Sequence, residues 1–130
     1  MKLLKPILLA VALTCSSLPA LADSIADKVE QLGEMKYLKV SGIRLVKRNE
    51  LLNVQVEVTN ADNSNQSMFY RFKWLDASGF SVWGEEVWKP LTIYGLQKKL
   101  INEVAPTPAA TDFRIEVQSP SNTGKAPQAQ

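Results

Sequence analysis

The alternation of apolar and polar residues with a period of two constrains the fold of this chain more than any other feature. Between Leu52 and Val58, apolar side chains occupy the even-numbered positions and polar side chains occupy the positions between them. This pattern predicts a strand with one buried face and one solvated face. Further strands, separated by turn residues, are predicted at 38–45, 68–75, 80–83, 91–94, 98–104 and 113–117.

About seven short strands at nearly regular spacing predict an all-β fold, an antiparallel β-sandwich in which two sheets cover one another with their apolar faces. Within 38–45 the register shifts after Gly42, which predicts a β-bulge or a break between two short strands. Trp74 shares a strand face with Phe72 and Tyr70, so it is predicted to belong to the core. The stretch 76–79 (Asp-Ala-Ser-Gly) predicts a tight turn, after which 80–83 starts the return strand.

The two flanks of this region have different compositions. Ile25, Val29 and Leu32 recur at helical spacing, and Gly33 can end a helix, so a short helix or arm is predicted over 23–36. The β-sandwich domain is predicted to span 37–118. Residues 119–130 are rich in Pro, Ser, Asn, Gly and Gln without an apolar face, so they predict a disordered tail.

The first segment, Met1–Ala22, has the three parts of a cleavable export signal. A short basic front precedes a mostly apolar stretch, and the residues Ala20-Leu21-Ala22 fit a signal peptidase site. Polar residues and Pro19 interrupt the apolar run, which argues against a membrane-spanning helix of about 20 residues. We therefore expect export, cleavage after Ala22, and a periplasmic location.

Cys15 leaves a second interpretation of this segment open. A lipoprotein signal places its lipidated cysteine directly after a short apolar run, and such processing would anchor the protein to a membrane. Thr14 before Cys15 fits that pattern poorly, whereas Ala22 offers a good site downstream. Cleavage after Ala22 is the preferred prediction, and lipidation at Cys15 is the alternative.

Residues 23–130 exclude several classes of function by their composition. The chain has 15 basic and 13 acidic residues, and two of the lysines lie in the signal, so the remainder is balanced at 13 of each. A neutral chain argues against nucleic acid as a partner, because phosphate binding needs a basic surface. Neither cysteine nor histidine occurs in this part. Ser-His-Asp and Cys-His sites, the common zinc sites and disulfides are therefore excluded.

Two acidic features are candidates for sites of chemistry. Glu85 and Glu86 are adjacent, so on a strand they would point to opposite faces and could not act as an acid–base pair. In a loop, solvated charge is the expected role. The loop 62–65 (Asp-Asn-Ser-Asn) offers oxygen ligands, but with one carboxylate and without EF-hand spacing it predicts a polar hairpin loop rather than a calcium site. We predict no cofactor and no metal.

Trp83 and Trp88 are the strongest candidates for a contact surface. They flank the Glu85–Glu86 pair near a predicted sheet end. Exposed aromatic side chains can stack on sugar rings or anchor a protein partner. Core packing is nevertheless the favoured interpretation for each, because aromatic residues dominate the cores of small domains.

Three stretches carry a family resemblance: 70–79 (Tyr-Arg-Phe-Lys-Trp-Leu-Asp-Ala-Ser-Gly), 88–91 (Trp-Lys-Pro-Leu) and 105–115, from Ala105-Pro106 to Asp112-Phe113-Arg114-Ile115. They resemble the YcfL family of small envelope proteins of Gram-negative bacteria. The resemblance extends over about 38–117. It implies an immunoglobulin-like sandwich in the periplasm, and it implies no enzyme activity, so no catalytic residue is carried over. Family members are often lipoproteins, and the Thr14–Cys15 pair departs from their pattern.

These observations predict a non-catalytic accessory or protein-binding domain of the bacterial envelope whose partner is another envelope protein. The alternative is a carbohydrate- or peptidoglycan-binding module that uses Trp83 and Trp88. A hydrolase acting through Glu85, Glu86 and Asp76 ranks third. Contact with a membrane is expected only if Cys15 is lipidated, and the sequence leaves the oligomeric state open.

Overall fold

Seven strands arranged in two sheets form the domain. The computed structural model describes residues 25–120. The elements, in chain order, are α1 Ile25–Lys28, β1 Val29–Gln31, β2 Leu38–Arg48, β3 Leu51–Asn60, β4 Gln66–Leu75, β5 Lys89–Ile93, β6 Lys98–Val104 and β7 Asp112–Gln118. A four-stranded sheet has the order β1-β7-β4-β5, and a three-stranded sheet has the order β2-β3-β6. The predicted all-β sandwich with a short N-terminal helix is confirmed.

The core lies between the two sheets and follows the predicted alternation. Val54, Val56 and Val58 point inward from β3, and each is almost fully buried. Phe72 and Trp74 of β4 stack on each other at 5.4 Å between ring centroids, and Phe113 of β7 packs against both rings. The prediction that Trp74 belongs to the core is therefore confirmed.

The N-terminal arm differs from the prediction in two ways: its helix is shorter, and the residues after the helix form a strand that pairs with the sheet. The helix ends at Lys28, and the chain continues as β1, which pairs in parallel with β7 through Val29 and Ile115. The sandwich is therefore not purely antiparallel. The free edge of β7 offers backbone partners that a helix to Met35 would not use, so strand pairing overrides the weak helical pattern. Gly33 follows β1 in the left-handed region, with φ 82°.

The strands β2 and β3 form one long hairpin. The predicted irregularity at Gly42 is a β-bulge, because the register shifts between Val40 and Gly42 while β2 continues as a single strand. The two central residues of the hairpin turn, Asn49 and Glu50, both have positive φ, at 49° and 65°. This is the geometry of a two-residue turn that matches the twist of the strands.

Glu50 is expected to strain this turn, because glycine is the residue usually found at its position. Replacing Glu50 with glycine should raise the free energy of unfolding by about 1 kcal/mol, since a side chain in the left-handed region is disfavoured by roughly that amount. Urea unfolding followed by tryptophan fluorescence measures the change. An unchanged or lower stability of the variant would contradict the expectation.

The return strand predicted at 80–83 does not form. After the turn at 76–79, only Ser81 makes a β-bridge, to Leu75. The chain then runs irregularly to β5, which begins at Lys89. The predicted turn itself is confirmed: the Asp76 carboxylate accepts hydrogen bonds from the backbone N–H groups of Ser78 and Phe80, and Gly79 has φ 84°.

The predictions for the export signal Met1–Ala22, for Cys15 and for nearly all of the tail 119–130 concern residues outside the described range. Within residues 25–120, no helix is long and apolar enough to cross a membrane.

Candidate functional site

Residues 80–88, called the edge segment below, bring all four predicted site residues to one border of the four-stranded sheet. The segment follows β4 and precedes β5, which is the edge strand of that sheet. Its start is held to β4 by a hydrogen bond from Val82 N–H to the Trp74 carbonyl at 3.0 Å. Beyond that point side chains, not a strand ladder, fix the segment.

Glu85 and Glu86 reach the two opposite faces of β4. Glu85 forms an ion pair with Arg71 at 2.6 Å, and Arg71 points away from the core. Glu86 instead accepts a hydrogen bond at 3.0 Å from the indole Nε1–H of Trp74, which is buried. The two carboxylates therefore diverge, although the segment is not the strand for which this was predicted.

Glu86 does not have the predicted role of a solvated charge. Its Oε1 atom binds Trp74, and its Oε2 atom is buried without a hydrogen-bond partner. A buried carboxylate oxygen without a hydrogen-bond partner destabilises the fold, because it has lost its hydration. The segment keeps this geometry because Trp74 needs an acceptor for its buried N–H group.

The two tryptophans have different environments. Trp88 lies under the Arg71 guanidinium, which is 4.4 Å from its ring centroid, so this aromatic ring supports the charged network. Trp83 is 50% exposed, so the core-packing interpretation is wrong for it. Phe80 and Val87 of the same segment are still more exposed, at 72% and 78%.

A charged network on the outer face of the four-stranded sheet supports the edge segment. Glu116 of β7 is buried, and its two carboxylate oxygens pair with Arg71 at 2.6 Å and Lys73 at 2.7 Å. Lys73 also pairs with Glu30 of β1 at 2.9 Å. Burial acts to raise the pKa of Glu116, but hydrogen bonds from Lys73 and Arg71 outweigh it and hold this pKa below its ordinary value.

A cleft of about 470 Å³ lies between the edge segment and this network. The residues that line it include Trp83, Glu85 and Glu86 from the segment and Arg71, Lys73 and Arg114 from the sheet. Acidic and basic groups line the cleft together with one exposed aromatic ring, so the cleft can offer both stacking and hydrogen bonds to a ligand.

Sequence reasoning assigned Trp83, Trp88, Glu85 and Glu86 to a common surface, and it missed the residues that position them. Arg71 and Lys73 have the local pattern of a solvated strand face, and no residue near Glu116 in the sequence marks it as their partner. Arg114 pairs with Asp112 at 3.0 Å. The alternation places Arg71 and Lys73 on one face, but only the pairing of β4 with β7 sets Arg71 opposite Glu116.

The loop 62–65 has the character of a polar turn. The carboxylate of Asp62 accepts hydrogen bonds from the backbone and hydroxyl of Ser64 and from the side chain of Gln66. Within residues 25–120, no three acidic, cysteine or histidine side chains are grouped so as to hold a metal ion.

These features define a small β-sandwich domain with an exposed aromatic edge. The sequence profile of the family described as "Protein of unknown function (DUF1425)" matches residues 25–119. The chain belongs to the DUF1425 family. The comparison with curated proteins returned no match.

Two solved structures have a similar fold. The crystal structure of Campylobacter jejuni cj0090 has a TM-score of 0.63 and 22% sequence identity, over 71% of this chain and 97% of that one. A DUF1425 family member from Shewanella sp. pv-4 has a TM-score of 0.58 and 21% identity, over 72% of this chain and 81% of the other. At this identity the similarity concerns the fold alone.

Proposed function

We propose that this protein is an exported, non-catalytic domain of the bacterial envelope that binds another envelope protein through the edge segment. The observation that carries the proposal is the exposure of Phe80, Trp83 and Val87 on a segment that Arg71 and Trp74 hold in place. Exposed aromatic residues on a rigid support are typical anchors of protein interfaces, because little entropy is lost when they bind.

The resemblance of 70–79 and 105–115 to the YcfL family supports a location in the periplasm, as does the export signal at Met1–Ala22. Cleavage after Ala22 predicts an exported protein that begins at Asp23. Intact-mass spectrometry of the exported protein tests this. A mass that corresponds to a chain starting at Cys15 with acyl groups would show lipid anchoring instead.

The binding proposal is tested by site-specific photocrosslinking in cells. A photoreactive amino acid at Val87 should yield a covalent adduct with one envelope protein. The same amino acid at Asn102, on the outer face of the other sheet, is the matched control and should not yield that adduct.

Trp83 should be the main anchor of this interface. Its replacement by alanine in the chain labelled at Val87 is expected to reduce the adduct about tenfold or more, since central tryptophans contribute about 2 kcal/mol or more to such interfaces. The side chain of Trp83 is half exposed, so the fold should tolerate the change. Equal adducts from both faces, or no effect of Trp83→Ala, would contradict the proposal.

The cleft beside Trp83 favours a second candidate, a carbohydrate- or peptidoglycan-binding module. Trp83 would stack on a sugar ring while Glu85 and Arg114 bind its hydroxyl groups. Peptidoglycan fragments should then quench tryptophan fluorescence of the wild type, and binding measured by calorimetry should be lost in Trp83→Ala/Trp88→Ala but largely kept in Trp83→Phe. Absence of a response in the wild type would eliminate this candidate.

A further inference from the structure

Strand β2 has the longest free edge of the two sheets that the described residues form. It lies at the border of the three-stranded sheet, and its 11 residues have a strand partner, β3, on one side only. The other border strands are shorter: β1 has 3 residues, β5 has 5 and includes Pro90, and β6 has 7. A free edge presents N–H and C=O groups to which another strand can bond. Strand β2 therefore offers the most extended surface for an added strand.

The geometry of the hairpin determines which backbone groups of β2 face outward. Arg48 and Leu51 flank the two-residue turn, so they form a hydrogen-bonded pair. Hydrogen-bonded pairs alternate along an antiparallel ladder, so the even-numbered residues of 44–48 bond to β3. The odd-numbered residues of 43–47 therefore point their N–H and C=O groups away from β3. These free positions are Ile43, Leu45 and Lys47.

The charge of β2 has one sign. The strand contains no acidic residue and four basic ones, which are Lys39, Arg44, Lys47 and Arg48. The ion pairs of residues 25–120 involve none of these four. The β2–β3 hairpin contains two acidic residues, Glu50 and Glu57, and Glu57 is engaged by Ser41 at 2.8 Å and by Lys98 at 3.4 Å. The hairpin therefore keeps an excess of positive charge along its free edge.

The core is open at this edge, beside Leu45. Leu45 is the register partner of Val54 and lies on the same inward-facing side, yet Leu45 is 46% exposed whereas Val54 is 2% exposed. Ile43 lies on the same side and packs partly against the core. An added strand would cover Leu45 with its own apolar side chains, and this burial would stabilise the complex.

The outer side of the same edge is basic. Arg44 and Arg48 lie there, opposite Gln55 and Leu51 of β3. Side chains directly opposite one another on neighbouring strands share a face and interact, so the two sides of β2 define what an added strand must contain. Apolar residues match the inner side, and acidic residues match the outer side. The edge therefore fits an extended segment in which acidic and apolar residues alternate.

The rest of this chain does not contain such a segment. Residues 1–24 include a single acidic residue, Asp23, and residues 121–130 include none. A second copy of β2 is also unsuitable, because it would bring the same four basic residues to the edge, and like charges oppose strand pairing. The segment that fits is an acidic stretch of another protein.

We propose that β2 binds an extended acidic segment of a partner protein, which joins the three-stranded sheet as a fourth strand at Ile43, Leu45 and Lys47. Backbone hydrogen bonds provide affinity, and Arg44 and Arg48 select the acidic sequence. This surface is independent of the edge segment. The edge segment borders the four-stranded sheet beside β5, whereas β2 borders the other sheet.

Fluorescence anisotropy with a labelled peptide tests the proposal on the exported protein. The probe is a peptide of about ten residues, the length of a long strand, in which glutamate alternates with valine. Two control peptides have lysine in place of glutamate, or the same composition with glutamates and valines in separate blocks. Only the alternating acidic peptide should bind, and its binding should weaken at high salt.

Two outcomes of the anisotropy measurement would overturn the proposal. One is the absence of binding by the alternating acidic peptide. The other is equal binding of the block peptide, because this would show attraction of negative charge without pairing of strands.

Hydrogen exchange followed by NMR identifies the backbone groups that bind the peptide. The amides of Ile43, Leu45 and Lys47 should exchange more slowly only when the peptide is bound, because they then donate to it. The amides of Arg44 and Val46 should be protected in both states, since they donate to β3. Unchanged exchange at the three free positions in the bound state would contradict the addition of a strand.

Leu45→Pro removes one outward N–H group and leaves the bonds to β3 in place. Proline is tolerated on an edge strand where the N–H faces solvent, so the circular dichroism spectrum should be kept. The affinity for the alternating peptide should fall about tenfold, equal to about 1.4 kcal/mol. Leu45→Val keeps the N–H and an apolar side chain, so it is the matched control and should bind as the wild type does. Equal affinities of these two variants would refute the backbone contact.

Arg44→Gln/Arg48→Gln tests the selection of charge and does not depend on the proline variant. Its affinity should fall about tenfold or more, with a weaker dependence on salt. Lys98→Gln/Lys99→Gln removes the same charge from β6, the other border of the sheet, and should bind as the wild type does. Equal losses in the two double variants would overturn the proposal. Trp83→Ala should bind the peptide normally, which separates this result from that of the edge segment.

Discussion

Replacing Trp74 with alanine is expected to lower the free energy of unfolding by about 4 kcal/mol, the largest effect of any single change considered. The side chain is 1% exposed and stacks on Phe72 and near Phe113, so its removal leaves a cavity at the centre of the core. Urea unfolding measured by circular dichroism checks this, because the change also removes a fluorophore.

Trp74→Phe separates the packing of this residue from its hydrogen bond. The variant keeps an aromatic ring but removes the Nε1–H donor, which leaves both carboxylate oxygens of Glu86 without a hydrogen-bond partner. We expect a loss of about 2 kcal/mol. The further change Glu86→Ala should return part of that loss, because it removes the unpaired carboxylate. Strictly additive losses would show that the Trp74–Glu86 contact does not stabilise the fold.

The second large effect is expected at Glu116. Glu116→Gln should lower the free energy of unfolding by about 3 kcal/mol, because the amide replaces one accepting oxygen with a donor and removes the buried charge between Arg71 and Lys73. These two residues then keep only the more exposed partners Glu85 and Glu30. Glu103→Gln is the matched control. Glu103 pairs with Lys89 at 2.6 Å, but both side chains are more exposed than that of Glu116, so a loss below about 1 kcal/mol is expected.

The effect of Glu116→Gln should depend on pH with a definite sign. The folded-state pKa of Glu116 lies below its value in the unfolded chain, so the native state holds this proton less tightly. The stabilisation is complete above the ordinary pKa of about 4.5 and is lost as the pH falls through the folded-state value. The stability difference between wild type and variant should therefore shrink below about pH 4. A difference that grows on acidification would contradict this assignment.

The sheet residues show where sequence patterns are sufficient. Alternation at 52–58 identified a strand that lies at the centre of its sheet, and the aromatic face of 68–75 identified the core. The turn at 76–79 was also predictable, because an aspartate and a glycine define it locally. In each case the evidence lies within a few neighbouring residues, where side-chain direction and turn geometry are set by the backbone.

The candidate site shows where the patterns are not sufficient. Trp83 and Trp88 are the same residue type and flank the same pair of glutamates. Yet Trp83 lines a cleft, whereas Trp88 supports Arg71. The difference arises from the partners that β4 and β7 bring to the segment. Those partners are distant in sequence, so no local pattern encodes them.

The sequence by itself determined the all-β class, most of the strand positions and the aromatic core, because a period of two and local turn chemistry act over short distances. Only the tertiary structure decided that residues 29–31 pair with β7 and that Glu86 is buried against Trp74. Each of these depends on a contact between segments far apart in the chain. The free energy of such contacts outweighs local preference, and no stretch of sequence contains both partners.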